Sequence, residues 1–262
     1  MPARIQVHGH RGARAVLPEN TIPAFEYAIH QGVDAIEMDV VVTKDDVPVI
    51  SHDPVLNPVI CRSPGGSHVI RELTFDELRR WDCGSLVNPR FPKQKPVPGA
   101  RIPSLDGVLA LADRGSFLFN IEAKLEQPGL APPPIRFAEL LLESIDRHNL
   151  RHRVIVQSFD FRILIAMKQL APGIRLAALY EDGRLGDFVA VARSAGAQII
   201  APHKALVTLA CIAAAHEAGI PVIPWTANTQ HEWDVLLAAG VDGIITDDPA
   251  ALIAHLKQRG LR

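Results

Sequence analysis

Two short stretches bring acids, bases and cations together in a pattern that suggests chemistry. Glu37 and Asp39 stand two residues apart in the run 33–43, which reads as a strand. Strand side chains alternate, so both carboxylates leave the same face, and hard divalent cations take oxygen ligands of this kind. His10, in His10-Arg11-Gly12, lies upstream, and His52, in His52-Asp53-Pro54, lies downstream. Both are acid/base candidates because an unperturbed imidazole titrates near about pH 6.5. The chemistry implied is metal-assisted proton transfer. A third carboxylate, Glu122, ends the run 117–122, and Lys124 follows with the same strand parity. Three carboxylates without a cysteine favour one Mg²⁺ or Ca²⁺ ion over zinc.

Each residue also has a plainer reading. A Glu-x-Asp pair is often a solvated strand face, and most of the 11 histidines must be structural. His8 has the same parity as His10 and is equally able to face the interior. Arg11 and Lys124 either bind a phosphate anion or only balance the carboxylates. Trp225 ends a strand-like run and either walls a small polar substrate or packs in the core.

The elements that position these residues alternate. Strand-like runs are expected at 5–8, 35–42, 47–51, 117–122, 154–157, 175–179, 198–201, 221–225 and 243–246. Helices are expected at 20–31, 135–148, 161–170, 185–195, 206–218, 230–239 and 249–257. Asn20 or Thr21 is the expected cap of the first helix, Pro23 lies in its first turn and Gly32 ends it. The count of about eight βα units matches an α/β TIM (β/α)8 barrel. A doubly wound sheet is the alternative, but it normally carries a Gly-rich phosphate loop after its first strand. The rhythm breaks after the second strand region, at about 54–103. That stretch is rich in Pro, Gly and charge and contains one clear helix, 75–80, with Thr74 and Glu77 as a capping box. It reads as a small insertion near the active-site end of a single barrel domain spanning 1–262.

Bulk properties narrow the function. The chain has 262 residues and a formal net charge of −2. It carries no basic field for a nucleic-acid backbone. Cys61, Cys83 and Cys211 form no C-x-x-C pair and read as reduced thiols of a cytoplasmic protein. The N-terminus shows no signal peptide, and the apolar runs are too short and interrupted to span a bilayer, so no stable membrane association is expected.

The ordered set of motifs resembles the glycerophosphodiester phosphodiesterases. It comprises His10-Arg11-Gly12, Pro18-Glu19-Asn20-Thr21, Glu37-Met38-Asp39-Val40, His52-Asp53-Pro54, Ile102-Pro103-Ser104-Leu105, Asn120-Ile121-Glu122-Ala123-Lys124, Gln157-Ser158-Phe159, Trp225-Thr226-Ala227-Asn228 and Gly243-Ile244-Ile245-Thr246-Asp247-Asp248-Pro249. The resemblance runs from end to end and implies a TIM barrel with an insertion after His52. It implies hydrolysis of glycerophosphodiesters, such as glycerophosphocholine or glycerophosphoethanolamine, to an alcohol and sn-glycerol 3-phosphate. Glu37, Asp39 and Glu122 would hold the metal, and His10 and His52 would be the acid/base pair. Arg11 and Lys124 would contact the phosphate, and Trp225 would lie along the glycerol. The stretch Asn57-Pro58-Val59-Ile60-Cys61-Arg62-Ser63 and the pair Leu105-Asp106 depart from the family pattern; the first bears on the insertion's shape and the head-group preference. Which histidine is acid, whether a cyclic phosphate forms or water attacks directly, and the oligomeric state are left open. The competing readings are a phospholipase-type barrel enzyme acting on a lipid phosphodiester, and a non-catalytic binding barrel. The first would be expected to carry an exposed apolar or basic membrane loop, the second to have lost a ligand or a histidine.

Overall fold

A computed structural model describes residues 4–125, 129–182 and 187–262. In chain order the strands and helices are β1 (Gln6–Gly9), α1 (Ile22–Gln31), β2 (Ala35–Val42), β3 (Pro48–Ile50), α2 (Phe75–Leu78), α3 (Leu105–Leu109), β4 (Leu118–Ala123), α4 (Pro134–Arg147), β5 (Val154–Ser158), α5 (Phe161–Leu170), β6 (Arg175–Tyr180), α6 (Phe188–Ser194), β7 (Ile199–Pro202), α7 (Leu209–Glu217), α8 (Gln230–Ala239), β8 (Gly243–Thr246) and α9 (Pro249–Gln258).

The strands form one sheet in the order β7-β6-β5-β4-β2-β1-β8, parallel throughout, with β3 folded back antiparallel on β2. Residues 221–227 close the circle between β7 and β8. Trp225 N donates to Pro202 O, and Ile245 N donates to Pro224 O. The run expected as a strand at 221–225 makes isolated bridges instead, because Pro221 and Pro224 have no N–H to give a ladder. The result is a TIM barrel with helices packed outside the sheet.

Local chemistry explains the boundaries. The Gly32 backbone at the end of α1 has φ 83° and its N–H reaches Ala28 O and Ile29 O, the left-handed stop that glycine adopts without a Cβ penalty. The helix expected at 206–218 begins only at Leu209, since Thr208 caps it by accepting from Cys211 N and Lys204–Leu206 forms a 3-10 turn. The start of the helix expected at 185–195 lies outside the described residues; its described part is capped by Asp187. The short helix α3 was not expected, although Ser104 accepts from Gly107 N as a regular N-cap.

The barrel interior is divided. On one side Ile155, Ala177, Ile199, Ile223 and Ile245 form an apolar cluster. On the other side the inward positions are polar and buried: His8, Glu37, Asp39, Asn120, Glu122 and Gln157. Each buried polar atom needs a partner, and most find one another in a chain across the strands. His8 Nε2 bonds to Gln6 Oε1, Asn120 Nδ2 reaches both His8 Nδ1 and Gln157 Oε1, and Gln157 Nε2 donates to Glu37 Oε1.

Residues 54–103 build a small second core, in which Leu56, Ile70, Leu78, Trp81 and Ile102 pack with Val41 and Val49 of the barrel. The Thr74–Glu77 capping box is present. Here the structure corrects the reading of the cysteines: Cys61 and Cys83 are joined as a disulfide, and Cys211 is free. Their separation of 22 residues concealed that the chain doubles back, with Arg62 N donating to Asp82 O and Asp82 N to Arg62 O. The thiol argument for a reducing compartment therefore does not hold. Among the described residues, no helix is long and apolar enough to cross a membrane.

Candidate active site

The C-terminal ends of the strands open on one mouth, as they must in a parallel barrel. β2 places Glu37 and Asp39 on one face, and β4 sets Asp39 beside Glu122 in register. One carboxylate oxygen from each of the three lies within 4.8 Å of the others, and all three side chains are buried. The structure thus brings together three acids that 83 residues of sequence separate at the widest step, from Asp39 to Glu122.

The turn after β1 supplies the first cation. Arg11 has φ 49°, left-handed and unusual for a side-chain-bearing residue. That geometry aims its N–H at Glu37 Oε2, 2.8 Å away. Its guanidinium meets Glu19 at 2.6 Å and Asp39 at 3.2 Å. Gly12, at φ 83°, has no room for a Cβ, which would fall 2.7 Å from the Ala24 carbonyl carbon. Asn20 donates to Asp39 Oδ2 at 2.9 Å. Lys124 Nζ lies 2.5 Å from Glu122 and 3.6 Å from Asp39.

Burial and crowding perturb these groups. Burial, then the neighbouring Asp39 and Glu122 carboxylates, push the Glu37 carboxyl well above the usual range. Glu122 is pushed up to about 7, mainly by burial, despite the pull of Lys124. Burial also opposes ionisation of Asp39, yet Arg11 and Lys124 hold its carboxyl far below the usual range. Packing three carboxylates in one buried site is unfavourable unless a cation shares them. Asp39 Oδ1, moreover, is buried and receives no hydrogen bond from the described residues. An all-oxygen donor set with a buried oxygen that has Lys124 at 3.6 Å but no hydrogen bond fits a hard divalent ion.

The histidines stand at different places. His10 Nδ1 lies 2.5 Å from Asp247 Oδ1 and its ring lines the cavity. Asp247 is itself fixed by Asn228, which donates to Oδ2 at 2.7 Å and accepts from its backbone N–H. Burial lowers the His10 pKa and the Asp247 carboxylate only partly opposes this. In the neutral form of His10 the carboxylate would hold Nδ1–H and leave Nε2 as the accepting nitrogen of the ring. His52 Nδ1 pairs with Asp53 Oδ1 at 2.8 Å, and both side chains are partly exposed. His8, by contrast, lies at the bottom of the polar chain, away from the mouth, and burial lowers its pKa to about 4.

The cavity over these groups measures about 170 Å³, with Phe159, Leu179, Trp225 and Ile245 as its apolar wall. Trp225 is anchored by its indole N–H to Ala201 O and sits edge-on to Phe159. Every site residue expected from the sequence except one opens on this cavity; Asp39 lies beneath it, under the Arg11 and Lys124 cations. Glu19, Asn20, Gln157, Asn228 and Asp247 also belong to the constellation. All lie in the quoted motifs, but a single sequence gives no sign of which partner each one holds.

A parallel barrel whose strand ends gather acids, imidazoles and cations at one mouth has the makings of a hydrolase of charged esters. The glycerophosphoryl diester phosphodiesterase family model matches residues 10–251. A glycerophosphodiester phosphodiesterase of Caldanaerobacter subterraneus is 32% identical over 257 residues, covering 97% of this chain and 98% of the relative. One of Bacillus altitudinis is 32% identical over 250 residues, covering 93% and 95%. Among solved structures, a putative glycerophosphoryl diester phosphodiesterase from Silicibacter pomeroyi superposes with a TM-score of 0.91 at 29% identity, covering 99% of this chain and 95% of that one. An Oleispira antarctica phosphodiesterase, solved in complex with the product sn-glycerol-3-phosphate, has the same fold, with a TM-score of 0.83 at 22% identity over 97% of each chain. The chain belongs to the glycerophosphoryl diester phosphodiesterase family and is a phosphoric diester hydrolase.

Proposed function

We propose that this enzyme hydrolyses small glycerophosphodiesters to an alcohol and sn-glycerol 3-phosphate, with Glu37, Asp39 and Glu122 holding one Mg²⁺ or Ca²⁺ ion. The observation that carries the reading is the cluster of three buried carboxylates, two of them lining one small cavity with Arg11, Lys124, His10 and His52 and the third, Asp39, beneath it. When bound, the ion would supply positive charge to offset the phosphodiester anion. The product seen with the Oleispira antarctica relative supports the glycerol phosphate half of the assignment.

The chain's own residues divide the remaining work. Arg11 and Lys124 present cations to the phosphate oxygens and stabilise charge that grows in the transition state. Trp225, with Phe159, lies along the carbon edge of the glycerol. His10, neutral and oriented by Asp247, accepts the proton of the attacking hydroxyl at Nε2. His52 borders both this cavity and the outer one beside it, so it donates a proton to the departing alkoxide as the P–O bond breaks. If the attacking hydroxyl is that of the glycerol, a cyclic phosphate forms and water opens it in a second step, with the proton roles reversed; if water attacks, one step suffices.

The test is release of sn-glycerol 3-phosphate from glycerophosphocholine, glycerophosphoethanolamine and glycerophosphoglycerol, with and without EDTA. Turnover should stop with chelator and return with added metal, and Glu37→Gln and His10→Ala should each lower kcat at least about 100-fold. Metal-loaded protein that releases no product from any of these esters would defeat the proposal. Brisk turnover of bis(p-nitrophenyl) phosphate, which has no neighbouring hydroxyl, would defeat the cyclic route as an obligatory one.

A further inference from the structure

A second, larger cavity of about 540 Å³ opens beside the first, sharing Arg11, Arg14 and His52 with it. Its outer wall is made by the insertion. Asn57, Val59 and Ile60 come from one arm, and Asn88, Pro89 and Arg90 from the other. These arms are held in place. The Cys61–Cys83 disulfide joins them immediately beyond the wall. Asn88 is buried and donates to Glu19, the acid that grips Arg11 and Arg14. Gln94 ties the second arm to the β1–α1 turn through Arg14 O and Leu17 O.

Its chemistry differs from that of the inner cavity. The inner cavity has Phe159 and Trp225 in its wall, whereas the outer one, beside the aliphatic Val59, Ile60 and Pro89, adds Arg90 and the Asn57 amide as donors and Asp53 as an acceptor to the shared Arg14. The acids are already engaged: Glu19 lies between Arg11 and Arg14, and Asp53 pairs with His52. The Arg90 guanidinium has no ion pair or side-chain hydrogen bond among the described residues. Among the described residues no Phe, Tyr or Trp lines the outer cavity, and the His52 imidazole is shared with the inner one. Phe91, the ring nearest to it in sequence, is covered by the Arg14 guanidinium at 5.0 Å. Quaternary ammonium groups are bound by free aromatic faces, and here they would meet the guanidinium groups of Arg11, Arg14 and Arg90 instead.

We infer that the outer cavity is the leaving-alcohol subsite and that it selects a hydroxyl-rich, uncharged alcohol, such as glycerol or a cyclitol, over a quaternary amine such as choline. The inference rests on the phosphodiesterase reading above and adds the alcohol class to it. Arg90 is its specificity-determining residue. A polyol accepts from the guanidinium and asparagine donors and donates to Asp53, while His52 stands between the two cavities, where the departing oxygen needs a proton.

The test compares kcat/KM for glycerophosphoglycerol and glycerophosphocholine in the wild type, Arg90→Ala and Arg90→Glu. The wild type should favour the glycerol ester by roughly two- to fivefold, the scale of exposed charge interactions, and Arg90→Glu should erase most of that ratio. Inhibition by sn-glycerol 3-phosphate, which fills the inner cavity, should change less than about twofold in both variants. Equal or better use of the choline ester by the wild type, an unchanged ratio in Arg90→Glu, or a parallel loss of product inhibition would each overturn the inference. Failure of the wild type to cleave either ester would instead overturn the phosphodiesterase reading.

Discussion

At the scale of single residues, the acid/base role proposed for His10 depends on which proton sits on which nitrogen. Asp247 orients His10, and Asn228 in turn orients Asp247 by donating to Oδ2. In an Asp247→Asn variant the carbonyl oxygen would stay opposite the Asn228 amide, leaving the new NH₂ facing His10 Nδ1. The ring would then carry its proton on Nε2 and could not accept one there. Asp247→Asn should therefore lower kcat by roughly 100-fold or more while leaving KM and the circular dichroism spectrum nearly unchanged. An activity loss accompanied by an equal loss of folded signal would show that Asp247 supports the fold rather than the tautomer. Glu37 and Asp39 were legible as a pair from strand parity alone, but the dependence of His10 on a carboxylate 237 residues away was not.

At the scale of elements, the insertion is where this chain departs from its motif pattern and where the structure departs from the sequence reading. Its small core and capping box follow from local signals at Thr74, Glu77, Leu78 and Trp81. Its covalent closure does not, because cysteines 22 residues apart meet only after the two arms pair. Closing a loop of that length removes unfolded-state entropy equivalent to about 3 kcal/mol. The double variant Cys61→Ser, Cys83→Ser should lower unfolding stability by about 2–3 kcal/mol in urea titrations. Reduction of the wild type should produce a similar loss, and a transition unchanged by dithiothreitol would refute the structural role of the bridge.

At the scale of the whole molecule, the barrel accepts a polar half-core in order to seat the site. The chain from Gln6 through His8, Asn120 and Gln157 to Glu37 spans the interior, and its hydrogen bonds require a neutral His8. Burial depresses the His8 pKa to about 4, against an ordinary value of 6.5. The unfolded chain then binds the extra proton more readily between these values, so stability is full above pH 6.5 and falls as the pH drops toward 4. Between pH 7 and pH 5 this one group should withdraw about 2 kcal/mol of folding stability. A His8→Gln variant should lose that part of the pH dependence; equal slopes in the two proteins would show that His8 does not control it.

The sequence by itself determined the periodic features. Helix caps, glycine stops, strand parity and the order of the motifs are local or one-dimensional, and they set the barrel and most of its element boundaries. They also marked Glu37, Asp39, Glu122, His10, His52, Arg11, Lys124 and Trp225 as candidates. Only the tertiary structure decided which of these meet, because contact across a barrel depends on strand register and closure rather than on spacing along the chain. It set Asp39 beside Glu122, paired His10 with Asp247, sent His8 to the interior instead of the mouth, and folded the insertion into a stapled wall beside His52.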